Sequence, residues 1–206
     1  MSVRERVKNY AMKKIENVPP SKYVLRGIVA YFGSVLIGAI FMNVVVALKL
    51  GFGNELLKTI IQHYVIPLRY GVQATSNNFL ATFMSIFPHN LKIATGMMLI
   101  SILVDADFIL AYMGCLSGLI LYGVHYQTGA SQVLLYLSLM PHGFIEISAV
   151  SLIAYSGLYL YSGQFRKFVK TYLIGTGLLF LAGLVESSLI YFGAKLKTVT
   201  AKSIKG

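Results

Sequence analysis

The chain has 206 residues, of which 56% are hydrophobic and 12% charged, and its mean hydropathy is +0.70. Soluble domains carry about 25% charged residues, so a surface that faces water all round is excluded. The formal charge of +11 fits Lys and Arg at a membrane surface; no RNP-like motif, zinc-finger spacing or basic helix with interleaved aromatics accompanies it, and nucleic acid is not an expected partner.

Residues 1–26 read as a basic cytosolic arm with Arg4, Arg6, Lys8, Lys13, Lys14, Lys22 and Arg26, broken by Pro19-Pro20. The arm is too long and too mixed in charge for a signal-peptide n-region. A first span follows over 27–48, apolar except for Ser34 and Asn43; Ser34 and Gly38 lie four apart and would let a neighbouring helix approach closely. Over 54–68, with Asn54 as N-cap, Leu56, Leu57, Ile60, Ile61, Tyr64, Val65 and Leu68 recur at helical spacing between Lys58, Gln62, His63 and Arg69. This is an amphipathic helix expected to lie in the membrane interface. After the polar stretch Gln73-Ala74-Thr75-Ser76-Asn77-Asn78, the apolar run 79–87 ends at Pro88-His89-Asn90. It is too short to span and is expected to form a re-entrant or shallow element.

Residues 93–104 and 108–124 read as an antiparallel helix pair around a tight, solvated turn, Asp105-Ala106-Asp107. The second of these carries Gly114-xxx-Gly118, a close-packing signature, around the lone Cys115, a small packing residue. Residues 133–160 are interrupted by Met140-Pro141-His142-Gly143 and are expected to be kinked or in two pieces. Gln164, Arg166, Lys167 and Lys170 mark a loop, and a last span over 172–192 contains one charge, Glu186, before a basic tail, 193–206. The expected fold is an all-α, polytopic transmembrane helical bundle over 27–192, with about five spans, an interfacial amphipathic helix and a re-entrant segment. Seven basic residues before the first span set the N-terminus in the cytoplasm; the charge rule does not choose a side for the tail.

An ionised side chain in the middle of a span costs about 2.5–3.5 kcal/mol on insertion scales, which makes each one a candidate site. His142 and Glu146 stand i,i+4 on one helical face; with Glu186 and Asn90, and His89 beside it, they are the candidates for an intramembrane polar cluster. Three readings stay open: a satisfied network that fixes helix packing, an ion, proton or small-solute site, and a metal site. For the last, His142, Glu146 and Glu186 are the candidate ligands of a divalent metal ion, although zinc hydrolases use three ligands plus a base. His-Glu-x-x-His and Gly-x-Ser-x-Gly are both missing from the sequence. His63 sits on the polar face of the amphipathic helix, His125 at a helix end, and the 14 tyrosines suit interface anchoring and core packing.

Pro141-His142-Gly143-Phe144-Ile145-Glu146-Ile147-Ser148-Ala149 resembles the Pro-His-Gly-x-x-Glu-x-x-Ala signature of the stage II sporulation protein M family. Phe87-Pro88-His89-Asn90-Leu91-Lys92 is similar to the family's Asn-containing entry into the next span, and Leu184-Val185-Glu186-Ser187 to the acidic residue of its last span. Together they cover roughly 79–192. The chain departs from the pattern at Asp105-Ala106-Asp107, where many members carry Asn-Gly. The resemblance implies a small, multispanning, non-enzymatic protein of the cell membrane. Its sporulation member works in a septal machine with two peptidoglycan-degrading enzymes, which it helps to localise. The expected function is a membrane scaffold or partner-binding subunit in contact with lipid, other membrane proteins or a second copy of itself. A transporter using Glu146 and Glu186 and an intramembrane metal-dependent enzyme are the alternatives.

Overall fold

Capping and proline set the first two helices in the computed structural model, which describes residues 1–203. The side chains at 69, 72, 73 and 196–203 and all of 204–206 lie outside the described residues, and with them Arg69, Gln73, Lys197, Lys202 and Lys205 of the expectations above. Helix α1 (Val3–Asn17) opens on a capping box, in which Ser2 Oγ accepts from the Glu5 N–H at 3.2 Å and Glu5 accepts from the Ser2 N–H at 2.6 Å. It stops before Pro19, and α2 (Pro20–Ala47) starts with proline in its first turn, where the missing N–H costs nothing.

The amphipathic segment is longer than its sequence pattern suggests. Helix α3 (Gly51–Ile60) has its N-cap at Leu50 rather than Asn54 and runs through a π-helical turn, Ile61–Val65, into α4 (Ile66–Thr75). Pro67 explains the turn: it has no N–H for the carbonyl four residues back, and its ring would strike that carbonyl. A wider turn, with the Ile66 N–H reaching Ile61 O, absorbs the misfit. Gly53, Leu57, Ile60 and Val65 are buried, while Lys58, Gln62 and His63 are exposed.

Helices α5 (Phe79–Ile100), α6 (Ala106–Thr128), α7 (Gln132–Ser162) and α8 (Phe165–Ser203) complete the chain, and no strand occurs among the described residues. Neither internal proline breaks its helix: Pro88 lies inside α5 and Pro141 inside α7. The run 79–87 is therefore the first half of α5, not a separate re-entrant piece. Helix α8 holds both halves, with Phe83 and Phe87 against Phe180 at 5.1 and 5.6 Å before Pro88 and Thr95 Oγ1 3.2 Å from the Tyr172 hydroxyl after it. In α7, Tyr136 donates to Phe32 O at 3.1 Å and Phe144 stacks on Phe32 at 4.6 Å, one contact on either side of Pro141.

Helices α2 and α6 run parallel with their backbones in contact. A Cβ on Gly114 would overlap the Tyr31 carbonyl, one on Gly118 would overlap the Val35 carbonyl and reach Ala39 N at 2.8 Å, and one on Gly38 would overlap the Cys115 carbonyl. Helices α7 and α8 form an antiparallel hairpin through Gly163, whose φ of 81° ends α7; a Cβ on Gly175 would meet Ile153 Cγ1 at 2.6 Å and Ala149 O at 3.1 Å. Helix α5 packs on this hairpin, with Gly157 against the Met98 carbonyl and Thr95 Oγ1 at 3.2 Å from the Tyr172 hydroxyl. The expected pairing of α5 with α6 does not occur; each packs mainly on other helices.

The acidic turn is not solvated either. Asp105 pairs with Lys14 of α1, and Asp107 Oδ2 lies 2.5 Å from Arg26 Nη2 of α2. Beneath them Tyr155 donates to Val18 O at 2.8 Å, and Tyr23 accepts from the Ala106 N–H at 3.4 Å. These contacts dock the basic arm on the heads of α2 and α6 and the end of α7. We call this the arm end; the opposite, far end carries α3 and α4.

Pro20–Ala47, Ala106–Thr128, Gln132–Ser162 and Phe165–Lys195 are each long and apolar enough to cross a membrane. Outward-facing apolar side chains such as Ile37, Phe108, Leu173 and Phe192 are exposed by more than 60%, as suits a body whose solvent is lipid. The chain is a multi-pass helical membrane protein. Since only backbone faces Gly118, Gly118→Ala is expected to cost about 1–3 kcal/mol in thermal unfolding of the detergent-solubilised protein. Gly177→Ala, where a Cβ meets nothing within 4 Å, is expected to be neutral or stabilising, since Ala is the better helix former.

Candidate functional site

Helix α7 presents His142 and Glu146 one turn apart, and the hairpin register brings α8 alongside them. With Gly175 against Ala149 and Ile153, Glu186 lies about three turns further along α8 and so level with the Pro141 region of α7. Both glutamates are half-buried, and Glu146 has Glu186 as an electrostatic neighbour. Among the described residues neither carboxylate takes part in an ion pair or receives a hydrogen bond.

The centre of this region is a residue that the sequence reading did not single out. The Tyr31 hydroxyl of α2 lies 3.0 Å from Ser117 Oγ of α6. Ser117 spends its own proton on Met113 O at 2.9 Å, so the tyrosine is the donor between the two hydroxyls. Glu146, Glu186 and Tyr136 all lie within electrostatic reach of Tyr31. The polar groups thus come from four helices: Tyr31 on α2, Ser117 on α6, Tyr136 and Glu146 on α7, and Glu186 on α8. Tyrosines had suggested interface anchoring and core packing. The available signal was spacing, because Tyr31 lies on the face that runs from Gly27 through Val35 to Gly38 and packs on α6.

The other candidates are placed differently. His142 is half-buried with its Nδ1 buried and unpartnered, and no described bond joins it to either glutamate. Asn90 is half-buried on α5, also without a described bond to the cluster, and His89 is exposed. His63 is exposed on the α3–α4 rod, and His125 lies 2.7 Å through Nδ1 from Ala130 O at the end of α6. Among the described residues no three His, Cys, Asp or Glu side chains are grouped as metal ligands. What the arrangement offers is two neighbouring carboxyls in a low-dielectric setting. Such a pair is relieved by a shared proton, by hydrogen-bond donors or by a cation between them.

Comparison with curated proteins and with solved structures finds no match. The family model described as Stage II sporulation protein M matches residues 27–189, a stretch that contains the His142–Glu146 motif, Asn90 and Glu186. By that match, which covers most of its length, the chain belongs to the stage II sporulation protein M family.

Proposed function

We propose that this protein is an integral membrane scaffold, a rigid helical body that holds other membrane proteins or a second copy of itself, and that its polar cluster serves architecture. The observation that carries the reading is the backbone-tight packing of α2 on α6, α5 on α7 and α7 on α8. Helices seated glycine against carbonyl resist the rocking of one half against the other that alternating access requires. The broad apolar faces of α2, α6 and α8 offer surface to lipid and to partner helices. Glu146, Glu186, Tyr31 and Ser117 then act as an internal polar layer that specifies which helix faces meet.

We also read five crossings in the cell membrane with a cytoplasmic N-terminus. Helix α2 ends at the far end and α6 begins at the arm end, so the chain between them must return, and α5 is the helix that spans that distance. Its Pro88, His89, Asn90 and Lys92 dilute its apolar character without shortening it. The arm end carries Arg166, Lys167 and Lys170 beside the arm, with Gln164 in contact with Met12 at 3.8 Å, which favours that end as cytoplasmic. Helices α3 and α4 would lie along the opposite interface. A Ser2→Cys probe in a Cys115→Ser background is expected to resist impermeant thiol reagents in intact cells. Ready labelling from outside would refute the orientation.

A second reading has one observation in its favour: the two neighbouring glutamates receive no described donor, as in a proton or cation site. Substitution separates the two. For an architectural cluster, Glu146→Gln should be mild, because an amide keeps most hydrogen-bonding capacity, while Glu146→Leu should cost about 1–3 kcal/mol. For a cation site, Glu146→Gln should remove stabilisation by added divalent metal while leaving the protein folded. Thermal unfolding of both variants with and without metal is the measurement, and we expect the architectural pattern. Negligible effects from both substitutions would leave the cluster without the role given to it.

A further inference from the structure

At the arm end, α1, the head of α2 and the head of α6 border a pocket of about 370 Å³ lined by Val18 and by six polar residues, Tyr10, Lys13, Lys14, Asn17, Arg26 and Asp105. Three of the six are cations and one is an anion. Lys14 leans on Asp105, and Arg26 on Asp107 outside the lining. Lys13 makes no ion pair among the described residues. The two paired cations keep spare donors, since an ammonium has three N–H groups and a guanidinium five, and each gives one nitrogen to its carboxylate. Tyr10 and Asn17 add an uncharged hydroxyl and amide.

The depth of the pocket says which anion it suits. The apolar run of α2 begins at Gly27, directly after Arg26, and Leu25 and Val29 are 60% and 64% exposed. Phe108 and Tyr112, in the first turns of α6 beyond Asp107, are 76% and 69% exposed. Exposed apolar side chains thus follow the pocket's cation Arg26 along α2 and the neighbouring Asp107 along α6. A soluble anion would use only the charged half of that surface; an amphipathic anion would use both. We propose that the pocket binds the phosphate of an anionic phospholipid, whose acyl chains lie along α2 and α6. Lys13 is the cation free to meet the phosphate, and the Lys14 and Arg26 pairs hold the pocket walls in place.

The test uses the full chain in phosphatidylcholine nanodiscs, with bound lipid counted by native mass spectrometry after adding phosphatidylglycerol, more phosphatidylcholine or inorganic phosphate. Phosphatidylglycerol is expected to be retained in preference to phosphatidylcholine. Lys13→Gln should weaken its retention about fivefold, the worth of one basic residue at an anionic surface, and Lys13→Glu more. Lys13 is exposed on α1, so both variants should fold. Lys170→Glu, which alters an exposed cation at the same end outside the pocket, should change retention less than twofold. Equal losses from Lys13→Glu and Lys170→Glu would show diffuse attraction and overturn the proposal, as would the absence of any preference for phosphatidylglycerol. Displacement of the lipid by millimolar inorganic phosphate, with the same dependence on Lys13, would overturn the lipid assignment in favour of a soluble phosphate.

Discussion

A β-carbon cannot be placed on Gly114 or Gly118 without striking the main chain of α2, and much of the architecture follows from that contact. Lipid tails are as apolar as leucine, so no hydrophobic force draws two membrane helices together; close van der Waals packing and hydrogen bonds must do it. Glycines on both helices allow that packing, and the contact holds α2 and α6 parallel. Two parallel neighbours joined by one chain need a return path between them, which is why α5 runs the other way and packs on the α7–α8 hairpin rather than on α6. The Arg26–Asp107 pair ties the same two helices at their heads, and the Lys14–Asp105 pair ties α1 to the cap of α6.

This lock also explains where the polar cluster sits. Tyr31 meets Gly114 through its carbonyl and Ser117 through its hydroxyl, so the residue that helps to close the α2–α6 seam is also the one within electrostatic reach of Glu146 and Glu186. Inside a bilayer a carboxyl has few partners to choose from. The two glutamates, on α7 and α8, are half-buried and lie within electrostatic reach of this tyrosine.

What could be read in advance was local. Pro19-Pro20 divides α1 from α2, and Gly38, Gly114 and Gly118 were recognisable as close-approach positions because helical spacing alone puts small residues on one face. Pro88 was misleading as an end point, since Phe83, Phe87 and Thr95 are held by α8 on both sides of it, and Tyr136 and Phe144 likewise flank Pro141 with contacts to Phe32 in a continuous α7; such long-range support has no local signature. Asp105 and Asp107 looked like a solvated turn for the same reason: their partners Lys14 and Arg26 are some eighty to ninety residues earlier in the chain. The i,i+4 spacing of His142 and Glu146 puts the two on one face but says nothing of which helix that face meets. The part of the cluster on α2 and α6 therefore stayed hidden.

The parallel α2–α6 pair and its register are the claim on which the rest stands, and a charge swap measures it. Arg26→Asp and Asp107→Arg should each lower the thermal unfolding temperature, because each leaves like charges face to face at the head of the pair. The double variant should recover more than half of the summed loss, as neighbours in contact do and distant sites do not. Losses that simply add in the double variant would mean that Arg26 and Asp107 do not meet, and would contradict this arrangement of the two helices.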